Sequence, residues 1–397
     1  MISIDEAKTI IERATFKLET ERVGLPNAVG RVLAENINTD MDMPPFDRSQ
    51  MDGFAVRTED VAASPVRLKI VGESIAGKGW HETMKSGEAV RIMTGAAVPT
   101  GADSVQKVEL TSEDNGSVEI LEPCKIGQNI VRRAQEIRNG ETVFGVGDII
   151  TDKMVATLAA FGYSRVKVSK RPKVAILATG SEIVDVGETP SRDQIRNSNS
   201  WMLNAFSEKH AEVVVLPIVV DNLNGLKETI SHAAARCDCL IISGGVSVGD
   251  YDFTKPALRE LGADIFFEKI ALKPGKPTVF AKLNNTLIFG LPGNPVSIAV
   301  TFFAFVRKTL LMMQSANNPD LKPGFAKLSH NIKSASGRDS LLPVSLSTGK
   351  RGRLRIETLR FSGSSNFIRF AKADALVFVP RDFGLVKGQV AQVLFLP

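Results

Sequence analysis

The sequence is short of the residues that hold disulfides and metals. Its 397 residues include only three cysteines and four histidines. An odd number of cysteines without framework spacing predicts a reducing compartment, and Cys237 and Cys239 open an apolar run, as buried thiols commonly do. The histidines do not fall at the spacing of zinc ligands. A disulfide scaffold and a zinc site are therefore both disfavoured.

Long apolar runs and a strong charge imbalance are also missing. No stretch reaches the ~18 apolar residues that a membrane span needs, and the acidic N-terminus lacks the apolar core of a signal peptide. Instead, Ser3 and Glu6 have the spacing of a helix capping box. The 49 basic and 44 acidic residues leave a net charge of +5, which is spread along the chain. We expect a cytoplasmic protein that binds neither membrane nor nucleic acid.

The length and the changing texture of the chain predict several domains. At 397 residues, length alone suggests roughly two to four. Residues 40–137 carry short β-rich runs, residues 169–317 alternate strands and helices, and residues 318–397 are typical of a small β domain. Residues 1–39 and 138–168 are expected to form one discontinuous α+β domain. The predicted fold class is multidomain α/β, with a central doubly wound, mostly parallel sheet domain, a β-rich domain, a discontinuous mixed domain and a small C-terminal all-β domain.

The alternating region predicts where a ligand would bind. Strands are expected at 174–178, 213–220, 240–243, 265–270 and 287–289, and helices at about 198–209, 222–236, 254–261 and 296–313. Ligands of such sheets bind beyond the carboxyl ends of the strands. The loops at 179–182, 221–222, 243–252 and 291–295 all leave strands at that end. We expect them to share one cleft.

Three loops of this region combine glycine with charge. They are SGGVSVGDYDFTK (243–255), KIALKPGK (269–276) and LPGNP (291–295), and each follows a short apolar run. Glycine lets backbone N–H groups approach a ligand closely, and lysine neutralises phosphate. Asp250 and Asp252 could hold a hard cation between phosphates. The loops predict an anion pocket for a phosphate-bearing small molecule.

Two glycine motifs resemble nucleotide-binding loops but depart from them. In GESIAGK (72–78), the following residue Gly79 stands where a Walker A loop needs Ser or Thr, so a turn in a β domain is favoured. In GGVSVG (244–249), Val246 stands where a dinucleotide fingerprint needs glycine. A nicotinamide dehydrogenase is therefore disfavoured.

Six separate strings carry a resemblance to a known family. They are PPFDRSQMDGFAV (44–56), RIMTGAAVPTGADSV (91–105), ILATGSEIV (176–184), SGGVSVGDYDFTK, KIALKPGKP and GLPGNPVS. In this order, from the first helix to the final strands, the chain resembles the MoeA family, the molybdopterin molybdenumtransferases related to the E domain of gephyrin. Six unrelated strings in sequence make chance a poor explanation.

The resemblance implies an enzyme of molybdenum cofactor biosynthesis. It implies that molybdate is inserted into adenylylated molybdopterin while a phosphoanhydride is cleaved in a step that needs Mg²⁺ or another divalent cation, releasing AMP and molybdenum cofactor. It further implies an elongated homodimer, in which the β-rich domain of one subunit faces the α/β and C-terminal domains of the other. An upstream adenylyltransferase and downstream molybdoenzyme maturation proteins are the partners that the family suggests.

The resemblance also assigns site residues. Catalytic roles fall on Asp52, Thr94, Glu182, Asp221, Asp252, Lys269 and Lys273, of which Asp252, Asp221 and Glu182 would bind the metal. Substrate binding falls on Ser243, Gly244, Gly245, Ser247, Gly249, Asp250, Lys276, Pro292, Gly293, Asn294 and Ser364. Asp52 and Thr94 would approach the cleft from the partner subunit.

Several of these residues also have purely structural interpretations. Asp52 could form an Asx-turn before Gly53, and Thr94 could satisfy a turn. Lys269 could be a solvated lysine on an edge strand. Residues 292–295 could be a strand-to-helix turn with Asn294 near the N-cap, although a helix N-terminus there would also favour an anion.

The chain departs from the family pattern at two places. Family members usually have Gly-Glu-Asp where this chain has Ala134, Gln135 and Glu136. An arginine expected early in the C-terminal domain is also missing, so that either Arg338 or Arg360 substitutes or the molybdate step is altered. The alternative functions are a pterin-binding paralogue that inserts tungstate or has lost insertion, and a scaffold like that of gephyrin. The retained acids and lysines favour an enzyme, because a scaffold needs none of them.

Overall fold

The computed structural model describes residues 1–246, 252–349, 352–359, 363 and 365–397. The chain forms two units. The large unit comprises Met1–Glu35, Val146–Val155 and Arg165–Pro397, and the small unit comprises Asn36–Gly145 and Ala156–Ser164.

Helices and strands alternate in the large unit, whereas strands dominate the small unit. The helices are α1 (Ile4–Ala14), α2 (Met154–Ala160), α3 (Ser198–Ser207), α4 (Leu223–Ala234), α5 (Thr254–Glu260), α6 (Pro295–Thr301), α7 (Arg307–Met313) and α8 (Phe367–Phe370), with 3₁₀ turns at Leu25–Asn27 and Val108–Leu110 and a π-helical turn at Phe302–Val306. The strands are β1 (Thr20–Gly24), β2 (Ile37–Asn38), β3 (Arg48–Ser49), β4 (Gly53–Val56), β5 (Val66–Ser74), β6 (Glu88–Ile92), β7 (Ser104–Lys107), β8 (Thr111–Asp114), β9 (Ser117–Ile120), β10 (Ile130–Val131), β11 (Thr142–Phe144), β12 (Arg165–Ser169), β13 (Lys173–Ala178), β14 (Ile183–Val184), β15 (Ile195–Arg196), β16 (Glu212–Val215), β17 (Cys239–Ser243), β18 (Asp264–Phe267), β19 (Leu272–Lys273), β20 (Val279–Leu283), β21 (Thr286–Leu291), β22 (Pro323–Leu328), β23 (Asp339–Thr348), β24 (Leu354–Thr358), β25 (Ala375–Val379) and β26 (Val390–Phe395).

The small unit is built on a six-stranded sheet in the order β7-β4-β6-β5-β9-β8. Its strands pair antiparallel except for β5 and β6, which are parallel. Phe54, Val56, Leu68 and Ile120, from three of these strands, form part of its core. The β-rich character expected of residues 40–137 is thus present.

The central sheet of the large unit has the order β16-β13-β17-β21-β20-β18. The first four strands are parallel, and only β20 runs against its neighbours. This confirms the predicted mostly parallel sheet. Two predicted strands are too long, because β16 ends at Val215 and β18 at Phe267.

Helices cover both faces of this sheet. Val174 and Ile176 of β13 pack on one face with α1, α3 and α6, whereas Ala175 and Leu177 pack on the other with α4 and α5. Because successive side chains of a strand point to opposite faces, a strand buried on both faces shows the continuous apolar run seen here. The doubly wound arrangement is therefore confirmed. Helix α1 begins with the predicted capping box, in which the backbone N–H of Ser3 donates to Glu6 Oε2 at 2.7 Å.

The C-terminal strands form a second six-stranded sheet in the large unit, in the order β19-β23-β24-β22-β26-β25. Strands β23 and β25 also pair, which closes the last five strands into a small barrel-like ring. Strand β19 lies in the chain between β18 and β20 of the central sheet, and it aligns Leu272 with Asp339 and Lys273 with Ser340. The KPGK loop is thereby fixed to the C-terminal sheet.

The expectation that no stretch reaches the length of a membrane span is wrong for one helical segment. Within the described residues, Pro295–Met313 is long and apolar enough to cross a membrane by length and composition. The segment is mostly buried, and Phe302 and Phe305 are among the largest fully buried side chains of the protein. It is the core helix of the large unit.

Candidate functional site

The carboxyl ends of three parallel strands lie side by side in the large unit. Ala178 of β13 aligns with Ser243 of β17, and Ser243 aligns with Leu291 of β21. The chain continues the pairing one residue further, because the N–H of Thr179 donates to Ser243 O at 3.1 Å and the N–H of Gly244 donates to Leu291 O at 3.1 Å. The three loops that follow these strands therefore start from one edge, as predicted.

The fourth loop joins them through the backbone. The N–H of Gly180 donates to Val219 O at 3.3 Å, and the N–H of Val219 donates to Ala178 O at 3.0 Å. This pairing carries the chain to Asp221 beside residues 179–182. The four loops therefore leave the sheet at one edge in the parts that the structure describes, and that they share one cleft stays a prediction.

Two glycines make this convergence possible. Gly244 has φ +96°, and a Cβ there would lie 2.5 Å from Thr179 O. Gly245 has φ +61°, and a Cβ there would lie 2.8 Å from Thr254 Oγ1. A Cβ on Gly293 would lie 4.0 Å from the Cα of Gly244. Side chains at positions 244 and 245 would push these loops apart, so glycine is needed there for their close approach.

Ser243 and Asn199 bring unsatisfied polar atoms to this edge. Ser243 is 1% exposed, and its Oγ has no hydrogen-bond partner within the described residues. Asn199 Nδ2 donates to Gly293 O at 2.8 Å, whereas Asn199 Oδ1 is buried without a partner in the same part of the chain. Sequence reasoning missed Asn199, although its position just after the N-cap residue Asn197 of α3 could have drawn attention to it.

Asp221 is held by the loop that follows β13. Its Oδ1 accepts from Thr179 Oγ1 at 3.1 Å, and its Oδ2 accepts from the N–H and Oγ of Ser181 at 3.0 and 3.2 Å. The carboxylate of Glu182 folds back over Gly180, where a Cβ would lie 2.6 Å from Glu182 Oε2. Asp221 therefore fixes the loop through Thr179 and Ser181. Sequence reasoning did not identify these two residues as its partners.

The predicted metal ligands do not form a metal cage among themselves. Within the described residues, no group of three or more histidine, cysteine, aspartate or glutamate side chains is placed to hold a metal ion. Asp252 lies two residues before Thr254, whose N–H donates to Gly245 O at 3.2 Å. The arrangement does not fit a magnesium ion held mainly by protein carboxylates, and the metal role of Asp221, Glu182 and Asp252 remains a prediction.

The KPGK loop borders a cavity of about 510 Å³ in the large unit. The cavity is lined by Lys273, Pro274, Gly275, Lys276, Pro277, Pro292, Asn294, Val296, Ser297, Arg338, Leu342, Pro343 and Gly363. Lys273 and Lys276 are exposed, and neither forms an ion pair with a described carboxylate. The cavity therefore brings three cationic side chains and the PGNP loop to one place.

Arg338 is one of the two candidates to replace the arginine missing from the family pattern. Its side chain lines the same cavity as Lys273 and Lys276. Gly275 has φ +124°, and a Cβ there would lie 2.6 Å from Thr301 Cγ2. The KPGK turn thus packs closely on the core helix, which fixes both lysines at the mouth of the cavity.

Lys269 does not line this cavity. It is exposed and lies beyond the end of β18 at Phe267, so the expectation that it belongs to a strand is wrong. Its carbonyl accepts from the N–H of Ile2 at 3.2 Å. Five residues of interest, Ser247, Gly249, Asp250, Ser364 and Arg360, lie outside the described residues.

In the small unit, Asp52 and Thr94 bind each other. Asp52 Oδ1 accepts from the N–H of Thr94 at 2.6 Å and from Thr94 Oγ1 at 2.8 Å. These two hydrogen bonds lower the pKa of Asp52, because they favour its charged form. Both residues are exposed. The structure therefore couples the two small-unit residues that the sequence analysis singled out.

Two motifs of the small unit have structural explanations. A Cβ on Gly72 would overlap the indole of Trp80, and Ile75 and Lys78 form a tight reciprocal turn, as expected for a turn of a β domain. In the second motif, residues 134–136, Ala134 has φ +58° where the family usually has glycine. Gln135 Oε1 accepts from the N–H of Arg132 at 3.0 Å.

Comparison with known families decides the identity of the fold. Residues 2–162 match the MoeA N-terminal region (domain I and II), residues 175–312 match a probable molybdopterin binding domain, and residues 326–396 match the MoeA C-terminal region (domain IV). The chain belongs to the MoeA family.

Individual relatives of the MoeA family agree over the whole chain. A protein of Haemophilus influenzae named molybdopterin molybdenumtransferase is 36% identical over 97% of this chain and 96% of its own length. A Bacillus subtilis protein of the same name is 34% identical over 100% of this chain and 94% of its own length. A crystal structure of the molybdopterin biosynthesis MoeA protein of Pyrococcus horikoshii covers 100% of both chains at 29% identity with a TM-score of 0.85.

Proposed function

We propose that this MoeA protein is a molybdopterin molybdenumtransferase, which inserts molybdate into adenylylated molybdopterin in molybdenum cofactor biosynthesis. The observation that carries the proposal is the cavity in which Lys273, Lys276 and Arg338 meet the PGNP loop. Three cations without a described carboxylate partner favour a doubly charged oxyanion. The names of the full-length relatives support the same reaction.

Each loop has its own task in this proposal. Molybdate is a tetrahedral dianion, and the lysines and Arg338 provide donors and positive charge for it. The helix that begins at Pro295 presents backbone N–H groups next to Asn294, whose side chain makes no cap hydrogen bond. The glycines at 244, 245 and 293 allow the backbone to approach the phosphates of the adenylylated pterin. Cleavage of its phosphoanhydride then releases AMP.

Preorganised charge is the chemistry that this chain supplies. Phosphoanhydride cleavage depends mainly on positioning and on stabilising charge at the oxygens, with little covalent help from the protein. Lys273 and Lys276 can stabilise the charge on these oxygens because neither forms an ion pair with a described carboxylate. A dependence on Mg²⁺ is part of the proposal, but none of the roles given to the residues above requires the metal.

The lysines provide the first test. Replacing Lys273 and Lys276 together by Gln should weaken molybdate binding and the rate of cofactor formation at least ~100-fold, since two charge-assisted contacts are lost. Calorimetry with molybdate and a cofactor-formation assay measure the two effects. Lys333→Gln with Lys387→Gln is the matched control, because both lysines are exposed and neither lines the cavity. Equal losses in the control, or unchanged binding in the test variant, would remove the cavity from the mechanism.

We extend the proposal to a cytoplasmic homodimer in which Asp52 and Thr94 act on the site of the partner subunit. Asp52→Ala and Asp252→Ala subunits should each be inactive alone. A mixture of the two should recover roughly a quarter of wild-type activity, because random exchange forms some sites with both acids intact. Subunit exchange and AMP release are measured together. A mixture that exchanges subunits yet stays inactive would place both acids within one chain.

A further inference from the structure

A second cationic cavity lies in the large unit. It has a volume of about 820 Å³, within the range of small-molecule sites. Its lining comprises Phe16, Leu18, Glu19, Lys170, Arg171, Lys173, Ala234, Ala235, Arg236, Cys237, Asp238, Lys282, Asn285 and Thr286. None of these residues lines the candidate site described above.

This cavity lies at the opposite end of the central sheet. Lys173 begins β13 and Thr286 begins β21, whereas the candidate site begins where these strands end, at Ala178 and Leu291. Each strand has six residues, which at ~3.3 Å per residue separates the two ends by roughly 17 Å. One small ligand cannot occupy both places.

The lining carries more positive than negative charge. Five of its side chains are cationic and two are acidic. Glu19 is already paired, since its Oε2 lies 2.7 Å from Lys170 Nζ. Asp238 Oδ2 accepts from the backbone N–H of Lys173 at 2.7 Å. The remaining cations, Arg171, Lys173, Arg236 and Lys282, have no carboxylate within ion-pair distance in the described part of the chain.

Arg171 has charges of both signs near it. Its Nε is buried without a hydrogen-bond partner among the described residues. Burial lowers the pKa of Arg171 and the neighbouring guanidinium of Arg31 lowers it further, whereas the carboxylates of Glu212 and Glu21 act in the opposite direction. Because burial and Arg31 outweigh the two carboxylates, an anion in the cavity would stabilise the charged form of Arg171.

Two carbonyls on this wall share one hydroxyl donor. Thr286 Oγ1 lies 2.6 Å from the carbonyl oxygen of Ala234 and 2.7 Å from that of Cys237, near the C-terminus of α4, and its single proton can be donated to either. The negative end of the helix is thus partly covered rather than open to the cavity. Phe16 and Leu18 add an apolar wall next to the cations.

We propose that this cavity is a second anion site, which binds a small phosphate-bearing molecule with its phosphates on Arg171, Lys173, Arg236 and Lys282. The organic part of the ligand packs on Phe16 and Leu18. The site is separate from the molybdate site and does not depend on it.

Calorimetric titration of the full chain with inorganic pyrophosphate at low ionic strength tests the site. Two classes of binding site are expected in the wild type. Lys173→Gln with Lys282→Gln should weaken one class at least tenfold, and Lys273→Gln with Lys276→Gln should weaken the other. The control variant Lys333→Gln with Lys387→Gln should titrate like the wild type, because neither lysine lines either cavity. A single class in the wild type, or an unchanged titration of the Lys173/Lys282 variant, would overturn the proposal.

A second titration tests the apolar wall. In the Lys273/Lys276 variant, where only the new site remains, ATP should bind at least threefold more tightly than pyrophosphate. Phe16→Ala should remove this preference while leaving pyrophosphate binding unchanged. If ATP and pyrophosphate bind equally, the site recognises phosphate alone and the assignment of an organic part to Phe16 and Leu18 is wrong.

Discussion

The paired arginines of one loop in the small unit and the cations of the candidate site in the large unit have different surroundings. In the small unit, Arg132 Nη1 lies 2.6 Å from Asp47 Oδ2, and Arg133 Nε lies 2.5 Å from Asp42 Oδ2. In the large unit, the cations of the candidate site line a cavity without a described carboxylate partner. Paired cations hold loops together, whereas unpaired ones remain available to an anion. The difference indicates which arginines and lysines serve the fold and which serve the ligand.

Two acids that the resemblance assigns to the site are held by the protein in the same way as the paired arginines. Asp221 already accepts three hydrogen bonds from the loop after β13, and Asp52 accepts two from Thr94. A carboxylate that is satisfied by the protein has fewer lone pairs left for a metal. The hydrogen bonds of these two acids therefore serve the geometry of their loops.

Among single substitutions, the largest effect is expected at Arg338, which tests whether an unpaired cation serves the ligand. Arg338→Gln should lower molybdate affinity roughly 10- to 100-fold, because one charge-assisted hydrogen bond is worth about 1.5–3 kcal/mol. Arg338→Lys should recover part of the loss. The matched change in the small unit, Arg133→Gln, should alter stability by no more than about 1 kcal/mol and leave affinity unchanged, since it removes an exposed ion pair. Calorimetry with molybdate would contradict the comparison if Arg133→Gln weakened binding as much.

The next prediction distinguishes two roles of Asp221, which are to hold the loop after β13 and to bind a metal. Asp221→Ala should lower the free energy of unfolding by about 1–3 kcal/mol, because the donors of Thr179 and Ser181 lose their acceptor. Thr179→Val should cost less, since the Ser181 contacts remain. Denaturant unfolding and Mg²⁺ titration are measured for both variants. Weakened Mg²⁺ binding with unchanged stability would instead favour the ligand role that the resemblance implies.

Local pattern predicted the central sheet well. The strands at β13, β17 and β21 are short apolar runs flanked by glycine or proline, and burial on both faces explains why they do not alternate. The loops after them could be assigned to one edge because parallel strands share their carboxyl ends. Strand identity and strand direction together therefore predicted the edge from which these loops leave the sheet.

Pairings between distant segments could not be predicted in the same way. Strand β20 was missed, although Asn284 at φ +53° and Asn285 form a two-residue hairpin loop between β20 and β21. The ring closure of β23 on β25 and the attachment of β19 to β23 join residues far apart in sequence. These contacts bring Arg338 to the lysines. The partners of Asp221 likewise lie about 40 residues upstream in the chain.

A smaller effect on stability is expected at Ala134, which follows the paired arginines Arg132 and Arg133. Ala134 adopts φ +58°, which costs an L-residue about 1–2 kcal/mol relative to an ordinary conformation. Ala134→Gly should raise the free energy of unfolding by about 0.5–1 kcal/mol, after allowing for the greater freedom of glycine in the unfolded chain. Ala159→Gly, in the exposed part of α2, should lower it by a similar amount. A loss of stability in both variants would contradict this explanation.

The smallest effect concerns the pH dependence of the Asp52–Thr94 contact. The pKa of Asp52 is lowered in the folded state by the N–H and hydroxyl of Thr94, so the contact stabilises the fold above the ordinary carboxylate pKa of roughly 4 and this contribution is lost as pH falls through the lowered value. Thr94→Val removes the hydroxyl but keeps the N–H, whereas Thr94→Ser keeps both. The stability difference between Thr94→Val and Thr94→Ser should therefore be largest near neutral pH and shrink below pH ~4. Chemical unfolding at a series of pH values measures it, and a difference that does not change with pH would show that the lost methyl packing, not the carboxylate, is responsible.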